Sequence, residues 1–95
     1  MTEMNGRIVC IDGFSMSVKG SSRHYCTPQN DVGPYSEVEI GFPSEAEPLI
    51  NEFAEMPDNP TQTVYGWVKS EIVWDVILKH GGIKSGELPV LCMGG

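Results

Sequence analysis

Val64–Gly82 reads VYGWVKSEIVWDVILKHGG, a β-rich run that passes without a break into a helical one, and the fold follows from where the two divide. Ser70 has the side chain of a helix N-cap, whose hydroxyl accepts from an otherwise orphan amide of the first turn. Glu71 and Asp75 fall toward the positive helix end and Lys79 toward the negative end. Gly81 supplies the left-handed residue that closes many helices. Ile72, Val73, Val76, Ile77 and His80 lie on one stripe, the spacing of a helix packed on a sheet. The pattern predicts a helix over about 70–80, with His80 capping its last carbonyls. Upstream, Thr63–Val68 is apolar on both faces, which predicts a central strand.

Trp74 and Leu78 widen the apolar arc beyond what a sheet covers. Either the 43–62 segment folds over them through Leu49, Ile50 and Phe53, or they meet a second copy of the chain. In that segment Ser44 and Glu47 resemble a capping box, and Pro48 is compatible with a helix that begins at it. A short helix or turn is expected over Pro48–Ala54, and a loop through Pro57 and Pro60.

Arg7–Val18 reads as a hairpin turning at Asp12-Gly13. A two-residue loop pairs Ile11 with Phe14 and Val9 with Met16, so that these four share a face. Lys19–Gly33 is polar and turn-rich, with a short extended piece around Arg23–Cys26. In Ser36–Phe42, Val38, Ile40 and Phe42 alternate with Glu37, Glu39 and Gly41, the pattern of a strand with one open face. Residues 84–95 read as an extended tail. The expected architecture is one α+β domain over residues 1–95: about four mostly antiparallel strands, with the helix on one face.

Thirteen acids against six Lys and Arg give a net charge of -7, and the placement says more than the sum. From His24 through Val68 there is no Lys or Arg, while Asp31, Glu37, Glu39, Glu45, Glu47, Glu52, Glu55 and Asp58 lie inside. Such a field disfavours direct contact with nucleic-acid phosphate and favours a basic protein surface as partner. If Val64 and Val68 point to the helix, Tyr65 and Trp67 join Glu37 and Glu39 on the open face, where aromatics suit an interface centre. No apolar run reaches the roughly 20 residues of a membrane span. The MTEMNGRIVC start lacks a signal-peptide layout. Three cysteines without a C-x-x-C pair fit free thiols in the cytosol.

Candidate chemistry is sparse. His24 and Cys26, with Cys10, His80 or Cys92, offer one loose pair where structural zinc wants four ligands in short paired spacings. The same residues could form a Cys/His nucleophile pair, but no third orienting group accompanies them. Glu37 and Glu39 on an open sheet lack the cleft that glycoside chemistry uses. The expectation is a protein with no catalytic residues, metal or cofactor.

HYCTPQNDVGPYSEVEIGFPS (His24–Ser44), TVYGWV (Thr63–Val68) and HGGIKSGELP (His80–Pro89) together resemble small accessory proteins encoded by tailed phages and prophages. That resemblance implies a protein made in the bacterial host cytoplasm, and the group includes anti-CRISPR inhibitors that block nucleic-acid sites of host complexes. The expected function is accordingly an anti-CRISPR-type inhibitor that binds a basic surface of a host defence complex, a CRISPR effector for instance. Glu37, Glu39, Glu45, Glu47, Glu52, Glu55, Asp58, Tyr65 and Trp67 are its expected partner-binding residues. The alternatives are a phage protein that self-associates through Trp74 and Leu78, as a homodimer rather than a monomer, and a small Cys/His metal-binding protein.

Overall fold

Five strands and two helical segments follow one another in the computed structural model, which describes residues 7–92. They are β1 (Arg7–Cys10), β2 (Ser15–Lys19), β3 (Glu37–Gly41), a 3₁₀ helix (Pro48–Phe53), β4 (Val64–Lys69), α1 (Ser70–Lys79) and β5 (Ile83–Ser85). The strands form one antiparallel sheet in the order β4-β3-β2-β1-β5. The helical segments pack on the face that carries Ile8, Cys10, Met16, Val18, Val38, Ile40 and Val68, all fully buried. The α+β reading holds, with five strands where about four were expected. The extra one is β5, taken from the expected tail and paired with β1 through Val9↔Ser85 and Cys10↔Ile83. Gly86 ends it at φ +100, where a Cβ would lie 2.1 Å from the Arg7 carbonyl oxygen, so only glycine lets the two backbones meet. Further on, Leu91 bridges to Tyr35 in parallel, and residues 93–95 of the expected tail lie outside the described residues.

Three local departures from simple alternation decide which side chains reach the core. The first is the hairpin, whose loop is three residues and not two: Ile8 pairs with Met16 and Val9 with Ser15. The Cys10 amide donates to the Phe14 carbonyl at 2.7 Å, leaving Ile11-Asp12-Gly13 as the loop and Gly13 at φ +98. A turn followed by a left-handed glycine is a common three-residue hairpin form. The shift buries Ile8, Cys10, Phe14 and Met16, and it sends Val9 to the open face and leaves Ile11 exposed. The driving force is burial, since the expected register would have sent Ile8 and Cys10 outward.

The second departure is a β-bulge in β4. Val38 pairs with Val68 and Ile40 with Tyr65, so the single residue Glu39 faces two, Gly66 and Trp67. The extra residue, with Trp67 at φ +51, changes the parity of the strand. Tyr65 and Val68 therefore both point to the core, and Trp67 takes the open side. β4 is also an edge strand and not a central one. Its outer side is covered by the chain itself, with an Ala54↔Tyr65 bridge and the Glu55 amide donating to the Val64 carbonyl.

The third lies at the end of β3, where Phe42 adopts φ +49 and turns outward. Pro43 takes the buried place that strict alternation assigned to Phe42.

The helix begins at its expected cap residue, Ser70, so the cap itself lies one residue earlier. Lys69 is the N-cap residue and makes no side-chain cap bond. Ser70 is buried in the first turn, where its hydroxyl donates to the Tyr35 carbonyl at 2.7 Å and its amide to the Ser36 carbonyl. Its role is to tie the helix start to the long loop. At the other end Gly81, at φ +93, closes the helix as expected. The 3₁₀ helix starts at Pro48 as the sequence suggested, but Glu47 caps it by accepting from the Leu49 amide. Ser44 instead exchanges backbone and side-chain hydrogen bonds with Ser15.

Candidate functional site

His80 forms the most concentrated polar site of the described residues. Its Nδ1–H donates to Asp12 Oδ2 and its Nε2–H to Glu47 Oε1, both at 2.7 Å. The Phe14 ring stacks on the imidazole, with centroids 4.0 Å apart and planes 10° from parallel. Glu47 is 1% exposed, and its second oxygen accepts from Lys79 Nζ at 2.8 Å and from the Leu49 amide at 3.0 Å. Asp12 Oδ1 accepts from the Phe14 amide at 2.9 Å. Two acceptor-only carboxylates on one ring require both nitrogens to donate, which is the imidazolium form. The four side chains, two anionic and two cationic, neutralise one another, with His80 and Glu47 buried and Asp12 and Lys79 half exposed at the margin.

The ionisation of the knot follows that geometry. Burial would lower the pKa of His80, but hydrogen bonds to Glu47 and then Asp12 more than offset it, and the net direction is upward. Burial likewise opposes ionisation of Glu47, yet Lys79, the Leu49 amide and His80 bring its pKa below the ordinary carboxylate value. Asp12 is lowered chiefly by the Phe14 amide and then by His80. With both ring nitrogens bonded, His80 has no lone pair for a proton, a metal or a nucleophile's hydrogen. The knot holds the fold together. His80 is the C-cap of α1 as expected, its amide donating to the Val76 and Ile77 carbonyls, while its ring serves the knot, which also removes Glu47 from any partner-binding surface. Sequence reasoning placed His80 on the buried stripe; a buried imidazole needs partners, and that demand was the available signal.

The open face of the sheet carries the expected glutamates in an unexpected setting. Glu39 accepts from the Tyr25 amide at 2.9 Å and Glu37 from the Thr27 hydroxyl at 2.7 Å. Both carboxylates thus anchor the 21–36 loop over β3. Tyr25, not Tyr65, stacks on Trp67, with centroids 4.9 Å apart, and the Trp67 amide donates to the Tyr25 carbonyl. Gly66 makes room, because a Cβ there would lie 3.2 Å from the Tyr25 Cβ. Trp67 is 50% exposed, whereas Tyr65 is fully buried, a correction to its expected place on the binding surface. Lys19 lies opposite Glu39 and Lys69 opposite Glu37 in the registers, and Arg7 shares this face. The open face is mixed in charge and centred on an aromatic stack.

The remaining expected acids gather elsewhere. Glu45, Glu52, Glu55 and Asp58 are exposed on the segment that holds the 3₁₀ helix and then runs along the β4 edge. That segment packs against α1 and β4, and α1 adds exposed Glu71 and Asp75. Lys79, the cation of this layer, is tied to buried Glu47. The structure therefore divides the expected partner-binding acids into three groups: Glu37 and Glu39 on the open face, Glu47 inside, and Glu45, Glu52, Glu55 and Asp58 on the helical layer. Trp74 is partly buried against the core, and its indole N–H is buried without an acceptor. Leu78 is 70% exposed.

The Cys/His candidates are occupied by local bonds. His24 Nδ1 is 2.6 Å from the Ser21 hydroxyl, and the buried Cys26 thiol donates to the Ser21 and Pro28 carbonyls. Among the described residues no group of three or more His, Cys, Asp and Glu is placed to hold a metal ion. No helix among them is long and apolar enough to cross a membrane. Comparison with protein-family models, curated proteins and solved structures finds no match to this chain.

Proposed function

We propose that the protein is a non-enzymatic inhibitor of the anti-CRISPR type, acting in the host bacterial cytoplasm. It binds a basic, nucleic-acid-binding surface of a host defence complex through its acidic helical layer. The observation that carries this reading is the sorting of charge. The helical layer and the β4-edge segment expose Glu45, Glu52, Glu55, Asp58, Glu71 and Asp75, and their one lysine is spent on a buried partner. A surface of one sign steers an oppositely charged partner and raises the association rate. The phage-like wording of the sequence supports the same class of target. Glu37 and Glu39 are left out of this proposed surface because their carboxylates hold the protein's own loop.

The test is capture of host complexes from bacterial lysate by tagged protein, at low and then high salt. Recovery of a nucleoprotein complex, lost at high salt, is the expected result. The triple variant Glu52→Lys, Glu55→Lys, Asp58→Lys should weaken capture by about tenfold or more. These three side chains make no hydrogen bond to other described residues, so the fold should persist. Capture that withstands both salt and charge reversal would defeat the reading.

A second reading is favoured by the exposed Leu78, which lies beside the half-covered Trp74 on α1. A homodimer joined there would dissociate on Leu78→Glu, and sedimentation across a concentration series measures it. A mass that stays monomeric throughout would remove this alternative.

A further inference from the structure

His80 joins three parts of the chain that are distant in sequence: the hairpin tip through Asp12, the entry to the 3₁₀ helix through Glu47, and its own helix end. The two carboxylates it holds are unequal. Glu47 is 1% exposed and the Asp12 side chain is 49% exposed. The neutral imidazole has one N–H, so it can satisfy only one of them. An unsatisfied buried carboxylate costs far more than one that can turn into water. The single proton must therefore stay between His80 and Glu47.

We propose that His80 is a proton-operated latch, in which the imidazolium clamps both the hairpin tip and the 3₁₀ segment, and loss of one proton releases the tip alone. The groups facing it are Asp12 from the hairpin, Glu47 from the 3₁₀ entry, and Lys79 from its own helix, acting through Glu47. Cys10, on β1 beside the tip, has a thiol raised first by burial and then by Asp12. Phe14 supplies an uncharged stacking face. On release Asp12 gives up the imidazole, while the backbone bonds from Asp12 N to the His80 carbonyl and from Ile11 N to the Gly82 carbonyl keep the tip nearby. The motion is local.

The sign follows from the two kinds of group. His80 is raised in the folded state, so its contribution is complete below its unfolded value of about 6.5 and is lost as pH rises through the folded value. Asp12 and Glu47 are lowered, so theirs is present above about 4 and lost as pH falls through their folded values. The latch is fully closed between those limits.

Imidazole nitrogen NMR of His24→Gln protein, which leaves His80 as the one histidine, tests the latch directly. Both ring nitrogens should be protonated at pH 6, with a titration midpoint above 6.5. Across that midpoint the Phe14 amide, which donates to Asp12, should lose about tenfold or more of its hydrogen-exchange protection. The Leu49 amide, which donates to Glu47, should keep its protection. Asp12→Asn can still accept from the Phe14 amide, stays folded, and should lower the proton affinity of His80 by about tenfold. A neutral imidazole at pH 6, simultaneous loss of both amides, or an unchanged titration in Asp12→Asn would each overturn the proposal.

Discussion

The two faces of this sheet treat charge in opposite ways. Under the helices, two carboxylates and two cations are drawn into one knot whose centre, His80 and Glu47, is buried beside the apolar core. On the open face, acids and lysines stand opposite one another in register, and the carboxylates spend their strength on backbone and hydroxyl groups of the protein's own loop. Burial makes the difference. A charge in a dry place must find a partner or cost several kcal/mol, whereas a wet one is nearly indifferent. An acidic residue in such a small domain is therefore uninformative until its environment is known: Glu45 and Glu47 are two positions apart, and one is surface while the other is foundation.

Neighbouring aromatics on β4 give the sharpest way to break that comparison. Tyr65→Ala should cost about 4 kcal/mol in denaturant unfolding, the range for truncating a buried aromatic. A cost under about 1 kcal/mol would mean that the bulge does not turn Tyr65 inward. Glu47→Ala leaves Lys79 and the imidazolium without their shared anion and should cost about 3 kcal/mol. Equal effects of Glu47→Ala and Glu45→Ala would dissolve the distinction between knot and surface. Ser70→Ala strips a donor from the buried Tyr35 carbonyl and should cost about 1.5 kcal/mol; a helix N-cap would cost a similar amount, so the Tyr35 carbonyl shift in NMR decides between the two roles. Trp67→Ala, which loses only a half-exposed stack on Tyr25, should cost about 1 kcal/mol or less.

What was legible in the sequence was periodicity. The stripe from Val73 to His80 and the alternation of Val38 and Ile40 both lie where their spacing put them, because burial selects those periods directly. Parity across an irregularity was illegible. One extra residue in the Ile11–Gly13 loop and one in the β4 bulge each reversed a set of inside and outside assignments. Neither insertion has a signal stronger than a glycine nearby, Gly13 in one case and Gly66 in the other. The knot was half legible: its histidine lay on the buried stripe, but its anions come from residues 68 and 33 positions away. The acidic span was visible as a span, but its division among three environments needed the third dimension.

The rims of the sheet have a consequence for how the chain lives among its copies. A bare strand edge is a template on which a foreign strand can grow, the first step toward aggregation. Here one rim, β4, is kinked by its bulge and roofed by Ala54 and Glu55. The opposite rim, β5, is only three residues long, includes an exposed lysine and stops at Gly86. Neither offers a long, flat row of unpaired amides to a stranger. The bulge that turned Trp67 outward thus also guards the protein at the high local concentrations of its own synthesis.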